Sequence, residues 1–538
     1  MTLPRTVAEI LREHVTLEVE SIDRMYLNVY VPQLQREMGV VSFLRYHLGQ
    51  PVASSALMAP ISKRFIEAIE AFARHNRIAL LTFEKGQRKD DVMQERLAGF
   101  QGEEGVVFVG KAQEKAPVFR TERRRDVKGL TYPWIVRSTA MVNQYYFYCV
   151  DRDFGPFFLK FCSYFPYTAK LCINGHEYVK RQLARRGIAF EALDNGILSC
   201  ADSKQLQALC HGLSADRIDA LLRKWLRLLP HPFTAYDRRA GYRYQLSILQ
   251  AEFSLTQVFR QPVTGRIFFE EVIRENLDIG RPDQVQLVFD RRIFRRGPRP
   301  TPGRFRTRVI TEGVTPSLHI DFKSSRIKQY HKEARALRTE TTINNTRDFK
   351  IGKLLHNLPA LREVGFQANR RLLNVQRLSH DCHIGENGLD SVQQPLDIHG
   401  QRVPAMRFAD ARVQALLNAL LGFRLLPRGF SNRDLRERLA PLLGEPVGHI
   451  RPGQMTYDLR RLRLHGLIQR VPKSHRYLLT DFGLRLALFF TRAYARILRP
   501  GLAIVLPPTP PAASRIRDSF DRLVAEMDRW CDRAMLAV

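Results

Sequence analysis

The sequence predicts an α+β multidomain protein: a mixed α/β N-terminal unit, a strand-rich basic central body, and a small C-terminal unit of helices closed by a hairpin. Three observations lead to this reading. The chain has 538 residues, too many for one ordinary core. Apolar residues alternate in some stretches and recur at helical spacing in others. Lys and Arg total 85 against 54 Asp and Glu, a formal charge of +31. A hydrophobic content of 44% is that of a globular chain, and the charge excess favours a polyanionic partner. Because the cations are interleaved with aromatics and spread along the chain, nucleic acid is the expected partner and a membrane is not. The sequence lacks an apolar run of membrane-spanning length and an N-terminal signal-peptide core, so a cytoplasmic location is expected. Seven cysteines, without CxxC spacing, argue for reduced thiols over a disulfide framework or a zinc ribbon.

Residues 1–115 are expected to form the mixed α/β domain. Val15 to Val31 is extended, Ser54 to His75 is an amphipathic helix, Ile78 to Phe83 is a buried strand, and Gly105 to Gly110 is another. Residues 111–132 carry Arg120, Arg123, Arg124, Arg125 and Lys128 and read equally as a solvated loop or a phosphate-contacting strap. Residues 133–285 form a central domain around an aromatic hairpin, Asn143 to Val150 and Phe157 to Phe165, turned at Asp151 to Gly155. Tyr242 to Phe259 and Arg266 to Asn276 read as helices.

Residues 286–380 combine a basic strand meander with a helix from Gly352 to Leu378. The meander is preceded by a run with no Lys and no acid, carrying Arg291, Arg292, Arg295, Arg296, Arg304, Arg306 and Arg308. A packed core cannot hold so many guanidinium groups, and their forks suit phosphate. Strands are expected at Thr315 to Lys323, Arg326 to His331 and Ala336 to Asn344. Alternation puts Lys328, Tyr330 and Lys332 on one face, and Arg338 with Glu340 on one face.

Residues 405–497 carry the most interpretable pattern. Helices are expected at Asp410 to Leu421 and Asn432 to Leu443, the second capped by Ser431. A third follows Pro452-Gly453, with Met455, Leu459 and Leu462 inward, and ends at Gly466. Leu467 to Val471 and Arg476 to Leu479 are strands about a Pro472-Lys473-Ser474-His475 turn, and Thr480 caps a last helix. This order resembles winged helix-turn-helix DNA-binding domains. The resemblance implies a recognition helix whose polar side chains reach base edges in the major groove and a basic wing on flanking phosphates. The residues so placed are Gln454, Tyr457, Arg460, Arg461, Arg463, Lys473, His475 and Arg476. Winged helices also serve as protein–protein modules, and the Lys/Arg clustering favours nucleic acid here.

The stretch IKQYHKEARALRTETTIN is similar, over about twenty residues, to a strand pair of rolling-circle replication initiators of the filamentous-phage nickase type. That resemblance implies Tyr330 as the nucleophile on a DNA phosphate, Lys328 and Lys332 as phosphate neutralisers, and Glu340 as a metal ligand. The usual His–hydrophobe–His metal motif is replaced by His319-Ile320-Asp321, and Mg²⁺ or Mn²⁺ would be the cofactor class. A metal nuclease built on Glu270, Glu271, Glu275 and Asp321 is a further alternative. Residues 514–538 form an amphipathic helix suited to docking on the body or to homo-oligomerisation.

The expected function is a DNA-binding protein of a mobile element or replicon, replication-initiator or transposase-like. It would hold duplex DNA through the C-terminal unit while the body handles strands, with single-stranded DNA or RNA open as partners of the body. The alternative is a transcriptional or architectural DNA-binding protein without chemistry.

Overall fold

The structure is a computed structural model. It describes residues 13–84, 86, 87, 89–125, 127, 129–261, 263–265, 267, 269, 284–288, 305–312, 315–333, 335–380, 384, 386–398, 400–408, 410–494, 518, 519, 522, 525, 526 and 529. Helices and a large, mostly antiparallel sheet make it an α+β protein. The chain divides into two compact units, Glu13–Arg370 and Met1–Arg12 with Arg371–Val538.

The first unit is organised by β1 (Val15–Tyr30). Its sequence alternates well enough to bury Leu17, Val19, Leu27 and Val29 while pairing on both edges. The further strands are β2 (Leu80–Thr82), β3 (Gly105–Arg125), β4 (Thr131–Asp151), β5 (Gly155–Cys162), β6 (Ala169–Asn174), β7 (Phe190–Leu193), β8 (Gly196–Cys200), β9 (Gln245–Phe259), β10 (Gln284–Val288), β11 (Phe305–Glu312), β12 (Thr315–Phe322), β13 (Ser325–Lys332) and β14 (Ala336–Ile343). All but β7 and β8 belong to one twelve-stranded sheet, in the order β10-β11-β12-β13-β14-β9-β1-β6-β5-β4-β3-β2. Pairing is antiparallel except between β10 and β11 and between β2 and β3.

Strands that the sequence assigns to three separate stretches, 1–115, 133–285 and 286–380, thus share one sheet. The pairings that join them, β1 with β6 and β9, and β9 with β14, link residues far apart in the chain. Two expectations are corrected. Gln245–Phe259, read as helix, is a strand paired along both edges by β1 and β14. Residues 111–125, read as a connection, continue β3 in register with β4. The expected buried strand at Ile78 to Phe83 shrinks to Leu80–Thr82 at the sheet edge, where Leu80 is exposed.

Helices cover the sheet: α1 (Met58–His75), α2 (Lys89–Ala98), α3 (Gly175–Arg185), α4 (Ser203–His211), α5 (Ala215–Leu228) and α6 (Leu358–His380), the last belonging to this unit as far as Arg370. Phe65 and Ile69 on α1 enter the core, and the Phe65 ring meets Phe161 edge-on at 5.8 Å. On α5 the apolar stripe is Ile218, Leu221, Leu222 and Trp225. Trp225 also donates its indole N–H to Asp151 at 2.9 Å. Gly365 on α6 lies flat against Phe253, where an added Cβ would come within 2.2 Å of the ring.

The second unit includes α7 (Glu386–Gln393) and the hairpin β15 (Leu396–Ile398) and β16 (Gln401–Val403). Then come α8 (Ala411–Leu421), β17 (Phe430–Ser431), α9 (Asn432–Leu443), α10 (Pro452–Leu464), β18 (Ile468–Arg470), β19 (Arg476–Leu479) and α11 (Asp481–Ala493). The three strands pair in the order β17-β19-β18. Each turn of chain has its local cause. Asp410 caps α8, Ser431 and Asp434 form a capping box at α9, Gly466 ends α10 at φ 72°, and Thr480 caps α11 by accepting from Gly483 N at 2.9 Å. Val413, Leu416, Leu435, Met455, Leu459, Leu462 and Leu484 are all buried within this unit. Of the proposed C-terminal helix, residues 518, 519, 522, 525, 526 and 529 are helical, and the rest of 514–538 lies outside the described residues.

Candidate nucleic-acid interface and a buried charged cluster

On α10, burial of Met455, Asp458, Leu459 and Leu462 fixes which side chains face away from the fold. Gln454, Tyr457 and Arg463 are exposed, Tyr457 at 49%, and Arg460 is half-buried. Asp458 is held inside by Arg412, with Nη2 2.7 Å from Oδ2, which ties α10 to α8. Beyond α10, the β18–β19 turn presents Lys473, at φ 53°, and exposed His475. Arg470, which the sequence reading passed over, braces this turn by donating from Nε to Ser474 O at 2.8 Å.

Two of the residues assigned to DNA contact do a different job. Arg461 donates to the carbonyls of Pro404, at 3.1 Å, and Ala405. Arg476 donates to the carbonyls of Arg428, at 2.8 Å, and Gly429, with Asp434 3.7 Å away. Both guanidinium groups satisfy backbone acceptors of their own unit, and helical or wing position alone did not distinguish them from Arg463. Arg291, Arg292, Arg295, Arg296 and Arg304 lie outside the described residues. Arg306 and Arg308 are on β11, opposite Asp321 and His319 of β12, and their side chains lie outside the described residues.

In the first unit the antiparallel register gathers the residues singled out in the meander. Lys328 faces Glu340, Tyr330 faces Arg338, and His319 faces Lys328, so all share one side of the sheet. Tyr330 donates to Glu340 Oε1 at 2.8 Å, and the Lys328 ammonium sits 4.1 Å from the centre of the Tyr330 ring. Lys332 pairs with Glu333 at 3.3 Å.

The centre of this face is Arg338, which is fully buried. Its Nη2 donates to Asp23 Oδ2 at 2.7 Å and to His176 Nε2 at 2.5 Å, and its Nη1 reaches the Asn195 carbonyl. Its Nε is 2.8 Å from Glu340 Oε1, an ion pair not aligned for a hydrogen bond. A register shift in β1 between Ile22 and Met25 coincides with Asp23, whose carboxylate also accepts from Asn195 Nδ2 at 2.6 Å. Nothing local in the sequence signals Asp23, His176 or Asn195 as partners of Arg338.

The electrostatics follow from burial and pairing. Burial raises the Asp23 carboxyl, but the Arg338 guanidinium, helped by the hydrogen bond from Asn195, outweighs it and holds the group below its usual range. Burial and Arg338 push His176 down to about 3, so it is neutral and accepts from the guanidinium. Burial raises Glu340 despite Arg338. Burial and Glu340 raise the Tyr330 phenol above its ordinary value, so the hydroxyl stays protonated. Glu252, on β9 opposite Thr342, is pushed up to about 7 by burial and by the Asp23 and Glu340 carboxylates.

The expected metal pair is differently engaged. Asp321 is buried and bound to Arg326 Nε at 2.7 Å, and His319 Nε2 lies 3.0 Å from Ser317 Oγ. Among the described residues no three His, Cys, Asp or Glu side chains gather to hold a metal ion. Glu270, Glu271 and Glu275 lie outside the described residues. Among those described, no helix is long and apolar enough to cross a membrane.

Comparison with protein-family models, with curated proteins and with solved structures returns no match, so these residues alone carry the functional argument.

Proposed function

We propose that the protein binds duplex DNA through its C-terminal unit, with α10 as the recognition helix and the β18–β19 turn as the wing. The observation that carries this reading is the outward set Gln454, Tyr457 and Arg463 on α10, followed by Lys473 and His475 on the adjoining turn. A helix of this kind fits the major groove, and such side chains pair with base edges and phosphates. The formal charge of +31 supplies the long-range attraction. The large sheet-bearing unit favours a replication-initiator or transposase-like protein over a simple repressor, which rarely needs so much additional folded chain.

The test is selection of a bound duplex from a random pool, followed by titration of the selected site with single variants. Arg463→Ala and Gln454→Ala should weaken binding by ~1–3 kcal/mol for a direct base contact. Arg461→Ala is the control: removing its bonds to the Pro404 and Ala405 carbonyls should lower stability and leave contacted bases unchanged. Undiminished affinity in Gln454→Ala and Arg463→Ala would remove the recognition-helix assignment.

A second reading rests on Tyr330, Glu340 and Lys328 meeting on one face. On this reading Glu340, which accepts from the Tyr330 hydroxyl, would take its proton as the phenolic oxygen bonds to a DNA phosphorus and the bond to the leaving deoxyribose oxygen breaks, that oxygen taking up a proton, and the Lys328 ammonium over the Tyr330 ring would offset phosphate charge. Its check is incubation with supercoiled plasmid and Mg²⁺ or Mn²⁺. Nicking with a covalent protein–DNA adduct, absent in Tyr330→Phe, is the expected result. Intact plasmid at the selected site would leave the cluster a structural one.

A further inference from the structure

The β3–β4 hairpin extends well past the rest of the sheet. β5 pairs with β4 only from Gln144 to Asp151, and β2 with β3 only from Val109 to Lys111. From Gln113↔Asn143 to Arg125↔Thr131 the two strands pair only with each other. At about 3.3 Å per residue that ribbon is roughly 40 Å long. Its inner part is anchored: Thr121 accepts from Ser55 N at 2.7 Å, and Phe119 and Ile135 are buried. The part beyond Thr121 carries exposed Arg123, Arg124 and Arg125, with exposed Arg120 just before it. The described carboxylate there is Glu122, 2.7 Å from Arg120 and 4.0 Å from Arg124. Arg124 also lies over the Trp134 ring at 5.0 Å.

Cations and prolines can guard a sheet edge against mispairing, and Pro117 and Pro133 on this ribbon do so. Edge protection does not account for the apex. There Val127 is fully exposed and Leu130 is 66% exposed, in a sequence that also carries Asp126 and Lys128 and follows three consecutive arginines. A two-stranded ribbon is marginal in water by itself, and Val127 and Leu130 stand at its tip without any core to bury them. Arginines behind an apolar apex match a DNA groove: guanidinium groups meet the phosphates of the groove walls while apolar side chains press on the base stack.

We propose that the β3–β4 ribbon tip is a second DNA contact, with Arg123, Arg124 and Arg125 on the phosphates and Val127 and Leu130 inserted against the bases, partly unstacking one step. This rests on duplex DNA being the partner, and adds a contact that the C-terminal unit does not make.

The experiment uses the full chain and a mixed-sequence duplex with 2-aminopurine at internal positions, titrated at several salt concentrations. Wild type should bind and raise the 2-aminopurine fluorescence, which reports unstacking. Val127→Ser/Leu130→Ser should bind with the wild-type salt slope and lose that rise. Arg123→Ala/Arg124→Ala/Arg125→Ala should flatten the slope of log K against log salt by about 0.9 for each phosphate contact removed. A fluorescence rise that survives in the Val127/Leu130 variant, or an unchanged salt slope in the arginine variant, overturns the proposal. If both DNA readouts are unchanged while sedimentation of the tip variants shifts, the tip serves a protein partner, and the proposal falls in that case too. Failure of the α10 reading would show separately, as Gln454→Ala and Arg463→Ala affinities equal to wild type while the ribbon variants still change slope and fluorescence. Absence of any duplex binding by wild type would overturn both.

Discussion

Arg338 and Arg463 are the same residue type put to opposite use. Around Arg338 the sheet supplies two carboxylates, α3 an imidazole and the β7–β8 turn a carbonyl, and the side chain is sealed from water. Around Arg463, near the end of α10, the fold leaves solvent. Charge composition cannot separate the two cases, because both count as one positive charge. What separates them is whether the fold has brought acceptors to the guanidinium. Arg461 and Arg476 make the point within the C-terminal unit, since both sit in a basic stretch and both bind backbone carbonyls of their own unit. A count of basic residues therefore overstates a nucleic-acid surface, and exposure after pairing is the better measure.

The sharpest way to break this contrast is to remove the buried member. Arg338→Met keeps the apolar stem of the side chain but removes the guanidinium that lies between Asp23 and Glu340. Breaking a buried pair from one side costs about 3–5 kcal/mol. Urea denaturation should show that loss at neutral pH, and a smaller one in mild acid, where the abandoned carboxyls take up protons. Wild-type stability in Arg338→Met would mean the cluster is solvated and its groups are not coupled, and the contrast with Arg463 would collapse.

The C-terminal unit was legible in the sequence because its signals are local. Ser431 and Asp434 three residues apart, Gly466 at a positive φ and Thr480 before α11 all act within one turn of chain. The meander was legible for a similar reason, since alternation in β13 and β14 fixes which side chains share a face whatever lies beyond. The centre of the sheet was not. Gln245–Phe259 buries Ser254, Thr256 and Gln257 as well as apolar residues, so its pattern carries no clean period of two. Ser254 and Gln257 find partners from far away: His176 beside Ser254, and Glu18 accepting from Gln257. Arg338 and Asp23 are 315 residues apart, a separation that no spacing rule reaches. The β3–β4 ribbon was misread for the opposite reason. Its outer residues are charged and exposed, like those of a loop, and only the pairing with β4 makes them a strand.

Glu252 gives the finest test of the buried cluster. Its carboxyl is pushed from an ordinary 4.5 up to about 7, first by burial and then by Asp23 and Glu340, with Arg24 and Arg338 opposing. A raised carboxyl favours the folded state in its protonated form. Its contribution is therefore complete below the unfolded value near 4.5 and is lost as pH rises through about 7. A shift of that size corresponds to ~3 kcal/mol. His176 works in the opposite sense, because a group lowered to about 3 contributes fully above its ordinary 6.5 and loses that contribution as pH falls. The two trends overlap in the wild type, so the informative quantity is the difference between Glu252→Gln and wild type, in which His176 cancels. Glutamine imitates the protonated acid at every pH. The variant should match wild type near pH 4 and exceed it by a growing margin that levels off above pH 7. A difference that stays constant across that range would mean that Glu252 titrates as an ordinary surface carboxylate, and that the Asp23 and Glu340 charges do not reach it.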